Sequence, residues 1–210
     1  MTLSRDVLIR WMHLFAQSVE ANKNYLTELD SAIGDADHGA NMHRGMQAVL
    51  GKLPSVAESD IGSILKTVGM TLVSTVGGAS GPLYGTFFIQ MASGASNKME
   101  LTLEDYTNAL QSGINGIVMR GKAQLKDKTM LDALQPALDA LKHAVESGAS
   151  LEEALQQSAE AAAAGRDSTT PLIARKGRAS YLGDRSIGHQ DPGATSSHLL
   201  LQSLVDAVKG

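Results

Sequence analysis

The sequence predicts an all-α protein, an antiparallel eight-helix bundle or barrel. Three observations point there. Aromatic residues make up only 4% of the 210 positions while hydrophobic residues make up 43%. The core must therefore be built from Leu, Ile, Val, Met and Ala, a mix that favours helices over sheets. Apolar residues also recur at spacings of three and four in eight stretches, and no stretch alternates convincingly with the period of two that marks a half-buried strand. Finally, the stretches are a few turns long and joined mostly by short connections, as in helices folded back on one another around a shared core. No interval of ~20–50 residues repeats, which argues against a solenoid.

The first helix starts near Ser4 and sets Val7, Leu8, Trp11, Leu14, Phe15 and Val19 on one face. The second runs from about Gly39 to Leu53 on Met42, Met46, Val49 and Leu50, and Pro54 stops it, because proline has no N–H to continue the ladder. The third runs from Asp60 to about Val76 with Ile61, Ile64, Leu65, Val68 and Leu72 inward. The fourth follows Gly81-Pro82 and carries Leu83, Phe87, Phe88 and Met91. Thr102 and Asp105 open the fifth as a capping box, with Asp in place of the usual Glu, and it extends to about Arg120. The sixth spans about Thr129 to Ser147, and Pro136 inside it predicts a kink or a late start. The seventh opens on a second capping box, Ser150 and Glu153, and its Ala-rich later part suits close packing. The eighth follows Pro192-Gly193 and holds Leu199, Leu200, Leu204, Val205 and Val208. No linker interrupts the series, so a single domain over residues 1–210 is expected.

Composition excludes several functions. The chain has no cysteine, which rules out disulfides, thiolate metal sites and a cysteine nucleophile. A formal net charge of -4 gives no support to a nucleic-acid binder or a polybasic membrane anchor. Arg5, Asp6 and Arg10 charge the N-terminal stretch and no long apolar run follows. The expectation is a cytoplasmic protein with neither signal peptide nor membrane span.

The informative segments are four loops: Asp30 to Asn41, Gly77 to Gly85, Arg120 to Met130 and Arg175 to Thr195. They follow the first, third, fifth and seventh predicted helices, and alternate loops of an antiparallel bundle share one end. They should therefore converge. The first loop places Asp30, Asp35 and Asp37 within eight residues, with glycines that let the backbone turn. Carboxylates this close repel one another unless a cation relieves the repulsion, and oxygen-only ligands suit magnesium or calcium. The alternative is a solvated acidic turn whose aspartates cap helices. A calcium EF-hand starting at Asp35 fails, since its glycine position is Ala40 and its bidentate glutamate position is Met46.

The second loop, Gly77-Gly78-Ala79-Ser80-Gly81-Pro82, enters a helix and exposes N–H groups and a hydroxyl, which suits phosphate. A tight helix–helix turn would use the same residues. Gly116 to Lys122 fits the start of a P-loop, but Ala123 stands where the magnesium-binding hydroxyl belongs and no strand precedes it. Gly121 itself would allow close approach of a flat ligand. The fourth loop carries Arg175, Lys176, Arg178 and Arg185 beside glycines. Such a cluster suits phosphate or is a solvated basic loop, though long loops in compact helical proteins tend to be functional. His38 and His189 lie in these glycine-rich loops. His13, His43, His143 and His198 lie within helices, where a structural or surface role is expected, and no Ser/His/Asp triad is present.

Taken together the loops resemble those of the L subunit of dihydroxyacetone kinase. The resemblance rests on Gly34-Asp35-Ala36-Asp37-His38-Gly39, on Gly77-Gly78-Ala79-Ser80-Gly81-Pro82, on Asp127-Lys128-Thr129-Met130, and on the stretch from Arg178-Ala179-Ser180-Tyr181-Leu182-Gly183 through Gly188-His189-Gln190-Asp191-Pro192-Gly193. It covers essentially the whole chain. It implies an antiparallel eight-helix barrel with a nucleotide at one end. Asp30, Asp35 and Asp37 match the carboxylates that hold two magnesium ions (Mg2+) against the ADP phosphates. His38, Gly39, Ala40, Asn41, Ala79, Ser80, Gly121, Met130, Arg178, Asp191, Pro192 and Gly193 match positions around the nucleotide. One departure is Lys126, where the family pattern usually has glycine.

The resemblance also implies partners. A separate K subunit binds dihydroxyacetone covalently through a histidine, and a phosphohistidine on an M subunit charges the bound ADP to ATP. The phosphoryl then passes to the substrate, with no nucleophile needed on this chain. A homodimer is left open. Two alternatives stand beside this reading: an L domain of an ATP-dependent ketose kinase that exchanges nucleotide freely, and a nucleotide-binding regulatory adaptor.

Overall fold

The computed structural model describes residues 2–210. Nine α-helices make up most of the described chain: α1 (Arg5–Ala21), α2 (Lys23–Ile33), α3 (His38–Lys52), α4 (Ile61–Thr75), α5 (Ser80–Ser93), α6 (Leu103–Gly121), α7 (Leu131–Glu146), α8 (Leu151–Ser168) and α9 (Pro192–Lys209). Two 3-10 helices, Leu53–Val56 and Arg178–Ser186, lie between them. The all-α expectation holds, with one small addition. Leu3–Ser4 (β1) pairs antiparallel with Glu100–Leu101 (β2), a two-residue ladder too short to show a period in the sequence.

The starts of the helices follow local chemistry. Ser4 accepts the N–H of Val7 and Asp60 that of Ser63. Thr102 with Asp105 and Ser150 with Glu153 both form complete capping boxes, so two donors at each start that would otherwise lack partners are satisfied. Asp191 caps α9 through the N–H of Ala194.

Each helix from α3 onward packs on the next, α9 returns to α1, and α1 lies against α3. Trp11 sits fully buried where several of these meet. Its ring is 6.1 Å from Phe88 on α5 and 6.4 Å, edge-on, from Tyr106 on α6. Its Nε1–H donates to the carbonyl of Leu200 on α9 at 2.7 Å. One side chain thus ties four helices, and its lone polar atom is satisfied, as burial of an indole requires.

One sequence expectation needs correction and a second is narrowed. Eight helices were expected and nine are present among the described residues, because Lys23–Ile33, outside every predicted helix and overlapping the first predicted loop only from Asp30 on, is helical. Its buried residues are Leu26, Asp30 and Ile33. The middle of that stripe is a carboxylate, so the apolar periodicity that would reveal the helix is broken at its centre. The convergence of the loops survives, because α2 follows α1 across the single residue Asn22, touches it little, and packs like it on α3. At Pro136, where a kink or a late start was expected, the late start is excluded, because α7 begins at Leu131 and holds the proline inside it. A proline there leaves the carbonyl four residues earlier without its helical partner. That carbonyl belongs to Asp132, and Gly165 of α8 passes so close that a Cβ on it would lie 2.2 Å from the Asp132 oxygen. The glycine lets two helix backbones meet at the proline.

Candidate functional site

Four helices, α3, α5, α7 and α9, begin at one cavity of about 730 Å3, and α2 and α6 end at it. Each helix start carries N–H groups without intrahelical partners and the positive end of the helix dipole. Four of them around one space make a strong anion site. Asp30, Asp35 and Asp37 line the same cavity, each with a ligand oxygen within 4.8 Å of the others. A wall that attracts anions and also presents three carboxylates is electrostatically inconsistent unless a cation lies between carboxylates and anion. The donor set is all oxygen, which fits a hard divalent ion such as magnesium bridging to phosphate.

The carboxylates are held by the local fold. Asp30 is buried in the last turn of α2, and its Oδ2 accepts the N–H groups of Asp37 at 2.8 Å and His38 at 3.1 Å. Those two bonds fold the Gly34–Asp37 turn back over the helix end. Ala36 in the turn takes a left-handed φ of 61°. Asp35 pairs with Nη2 of Arg178 at 3.1 Å, which brings the fourth loop over the first. Arg178 is largely exposed, so this pair contributes little to stability and is free to re-form around a ligand.

His38, the first residue of α3, is buried and bridged at both ring nitrogens. Nδ1 lies 3.0 Å from the Ser80 hydroxyl and Nε2 lies 2.9 Å from that of Ser196. The Tyr84 hydroxyl is 2.7 Å from Ser196 and 3.1 Å from Ser197. This chain of polar groups laces together the starts of α3, α5 and α9. Burial pushes the His38 imidazole down to about 4 and the Tyr84 phenol up to about 12, so both are neutral near pH 7. Asp191 is pushed up to about 7, chiefly by burial. The carboxylates of Asp132 and Asp30 act in the same direction, while the Ala194 N–H and the Lys128 ammonium oppose them.

The third loop is built on left-handed residues: Lys122, Lys126 and Lys128 have φ of 51°, 72° and 63°. The departure at Lys126 is thus a lysine in the backbone region that glycine enters without cost. Asp132 accepts the N–H groups of Lys126 and of Thr129, the latter at 2.8 Å. Asp127 accepts that of Gln124 at 2.9 Å. Gly116 and Gly121 lie inside α6 and not in a loop between a strand and a helix, so the apparent P-loop match has no P-loop geometry.

All four loops reach the cavity. Its walls include Asp30, Asp35, Asp37, His38, Ala79, Ser80, Gly121, Met130, Arg178, Asp191, Pro192 and Gly193. Three expected residues are not among them. Gly39 packs against α2, where a Cβ would lie 2.0 Å from the Lys23 carbonyl. Ala40 faces solvent, and buried Asn41 accepts a bond from Arg44 at 2.7 Å. The structure adds Lys128 and Tyr84 to the walls and Ser196 behind them. The sequence signal for Lys128 was its place in the third-loop motif, whereas Tyr84 and Ser196 look like ordinary helix residues.

Residues 32–206 match the DAK2 domain family, and the chain belongs to that family. It is 48% identical over 209 residues to the ADP-binding subunit DhaL of PEP-dependent dihydroxyacetone kinase from Escherichia coli, with all of both chains covered. It is 42% identical to the ADP-binding subunit DhaL of PEP-dependent dihydroxyacetone kinase 1 from Listeria innocua, with 98% of each chain covered. It also superposes on a crystal structure of the dihydroxyacetone kinase from C. freundii in complex with AMP-PNP and Mg2+, with a TM-score of 0.71 and 25% identity. That match covers 95% of this chain and 33% of the other, so the chain spans about a third of that enzyme. No described helix is long and apolar enough to cross a membrane.

Proposed function

We propose that this chain is the ADP-binding subunit of a PEP-dependent dihydroxyacetone kinase and works as a single nucleotide-binding domain in the cytoplasm. The observation that carries the proposal is the convergence of four helix starts on a cavity that also holds three clustered carboxylates. Full-length identity to subunits bearing that name supports the choice of phosphoryl acceptor and donor.

In this reading Asp30, Asp35 and Asp37 hold two magnesium ions, which neutralise phosphate charge when bound. The starts of α5 and α9 offer N–H groups to phosphate oxygens, and Ser80 adds a hydroxyl. Arg178 leaves Asp35 to meet phosphate, where a planar guanidinium can make paired bonds. His38, neutral and locked by Ser80 and Ser196, fixes the first turn of α3 without adding charge. Nothing on the chain acts as nucleophile. Catalysis is positioning and electrostatic stabilisation of a transferring phosphoryl group, with dihydroxyacetone held on a K subunit and ADP recharged in place by a phosphohistidine on an M subunit.

The test is a coupled assay with a K subunit and dihydroxyacetone. Turnover is expected with phosphoenolpyruvate, the phosphotransferase proteins and an M subunit, and not in steady state with ATP alone. Sustained turnover on ATP alone at a matching rate would favour a freely exchanging ATP-dependent kinase instead.

A further inference from the structure

Lys128 is an unusual lysine. Its side chain is 1% exposed, and its backbone is left-handed with φ 63°, so the chain bends sharply to deliver it inward. Its ammonium lies 2.9 Å from the carbonyl of Thr169, 3.4 Å from Thr170, 3.1 Å from Leu172 and 2.8 Å from Ser186. All four carbonyls belong to the segment between α8 and the end of the 3-10 helix Arg178–Ser186. A buried cation surrounded by backbone carbonyls is how proteins dehydrate a monovalent ion, with oxygen dipoles replacing water. Burial holds the ammonium below the usual lysine pKa, and the Asp191 carboxylate acts the other way.

The segment so gripped is the one that carries Arg178 to Asp35. Three neutral bonds also tie it down: Arg175 N–H to the Asp127 carbonyl at 3.0 Å, Ala174 N–H to the Ser186 hydroxyl at 2.9 Å, and Gly188 N–H to the Thr170 carbonyl at 2.8 Å. Hydrogen bonds from a charged donor are roughly twice as strong as neutral ones, and the ammonium makes several at once. Its loss would also leave the carbonyls of Leu172 and Ser186 without a partner, while that of Thr169 keeps the Leu172 N–H and that of Thr170 keeps the Gly188 N–H.

We propose that Lys128 is a positioning residue: its ammonium serves as a built-in monovalent cation that fixes the Thr169–Ser186 segment and so sets Arg178 over the carboxylate cluster. That Arg178 then meets a nucleotide rests on the function proposed above, whereas the carbonyl cage does not.

The test uses the full chain without nucleotide. In Lys128→Ala the amides of Ala174 and Gly188 are expected to exchange with deuterium about tenfold faster or more, each buried unpaired carbonyl being worth that much, while amides around Trp11 keep wild-type rates. Propylammonium, which replaces the deleted atoms, should slow the exchange again, and tetramethylammonium at equal ionic strength should not. Because the chain has no other cysteine, Lys128→Cys can be alkylated in denaturant with bromoethylamine or with bromoethane and refolded. The aminoethylated protein is expected to regain the protected segment and the ethylated one not. Unchanged exchange in Lys128→Ala, equal rescue by both cations, or an aminoethylated chain that refolds no better than its ethylated control overturns the proposal. ADP release is measured separately. A wild-type chain that fails to bind ADP sinks the proposed function and leaves the exchange result standing on its own.

Discussion

Gly34 lies so close behind Asp30 that a Cβ on the glycine would sit 2.0 Å from the carboxylate oxygen Oδ1 and 3.0 Å from the Asp30 carbonyl. The Gly34 N–H also donates to that carbonyl. The glycine is therefore a matter of space rather than of backbone freedom. Any side chain there pushes Asp30 out of the position in which it accepts two N–H groups from Asp37 and His38. Gly34→Ala should lower stability by roughly 1–3 kcal/mol, the usual penalty for overpacking. It should weaken magnesium-dependent ADP binding further than that, because Asp30 is displaced as a ligand. Urea melts in EDTA give the first quantity and calorimetric titration with magnesium and ADP the second. Wild-type affinity in a destabilised Gly34→Ala protein would detach the glycine from the metal site.

Asp30→Asn, Asp35→Asn and Asp37→Asn test the carboxylates directly. Each keeps the shape of the side chain and removes its charge. A ligand that binds only the folded state stabilises it by roughly 4 kcal/mol at about a thousandfold excess over its dissociation constant. Each variant should lose much of that gain in a thermal melt with magnesium and ADP, and EDTA should do the same to the unaltered protein. If all three variants melt as the wild type does with and without ligand, the cluster is an acidic turn and not a metal site.

The contrast between what the sequence showed and what it hid has a physical basis. Capping boxes at Thr102 and Ser150 and the apolar stripes of the long helices are local signals, so those elements were legible. The loops were legible because glycines and charges stand out against alanine- and leucine-rich helices. The α2 helix was hidden because its buried stripe runs Leu26, Asp30, Ile33, with a functional carboxylate where an apolar residue would mark the face. Lys128 was visible as part of a motif but not as a buried cation, since its four partners are backbone carbonyls some forty to sixty residues away, and carbonyls leave no trace in a sequence. The network of Tyr84, Ser196 and Ser197 was hidden for a related reason: serines near a helix start have many ordinary uses, and only packing decides which.

Asp191 predicts a pH dependence. Its carboxyl is held at about 7, above the ordinary 3.8, mainly by burial. A raised carboxyl favours the protonated form in the folded state. Its contribution is therefore fully present below about 3.8 and is lost as pH rises through about 7. Asp191→Asn keeps an acceptor for the Ala194 N–H and so keeps the cap on α9, but it cannot ionise. Without nucleotide and in EDTA, the variant should become more stable than the wild type as pH rises from about 4 to about 7, by an amount on the order of a few kcal/mol. Parallel stability–pH curves for the two proteins would show that Asp191 titrates normally.

Lys126 gives the opposite case to Gly34, a side chain where glycine would fit better. Its φ of 72° is left-handed, and a non-glycine residue there is strained by roughly 1–2 kcal/mol. Its N–H bonds to Asp132, a bond that glycine keeps, and its side chain makes no hydrogen bond or ion pair among the described residues. Replacing lysine by glycine loosens the unfolded chain, which costs about 0.4–1 kcal/mol. The strain relieved is the larger of the two. Lys126→Gly should therefore stabilise the protein, by roughly 0.5–1 kcal/mol once the two effects are combined. Lys122, also left-handed at φ 51°, caps α6 at its C-terminal end, where glycine is strongly favoured, so Lys122→Gly should act in the same direction. Chemical denaturation of both variants in EDTA reads the change without interference from ligand. A Lys126→Gly protein less stable than the wild type would mean that the lysine side chain supports the third loop through packing that outweighs its backbone strain.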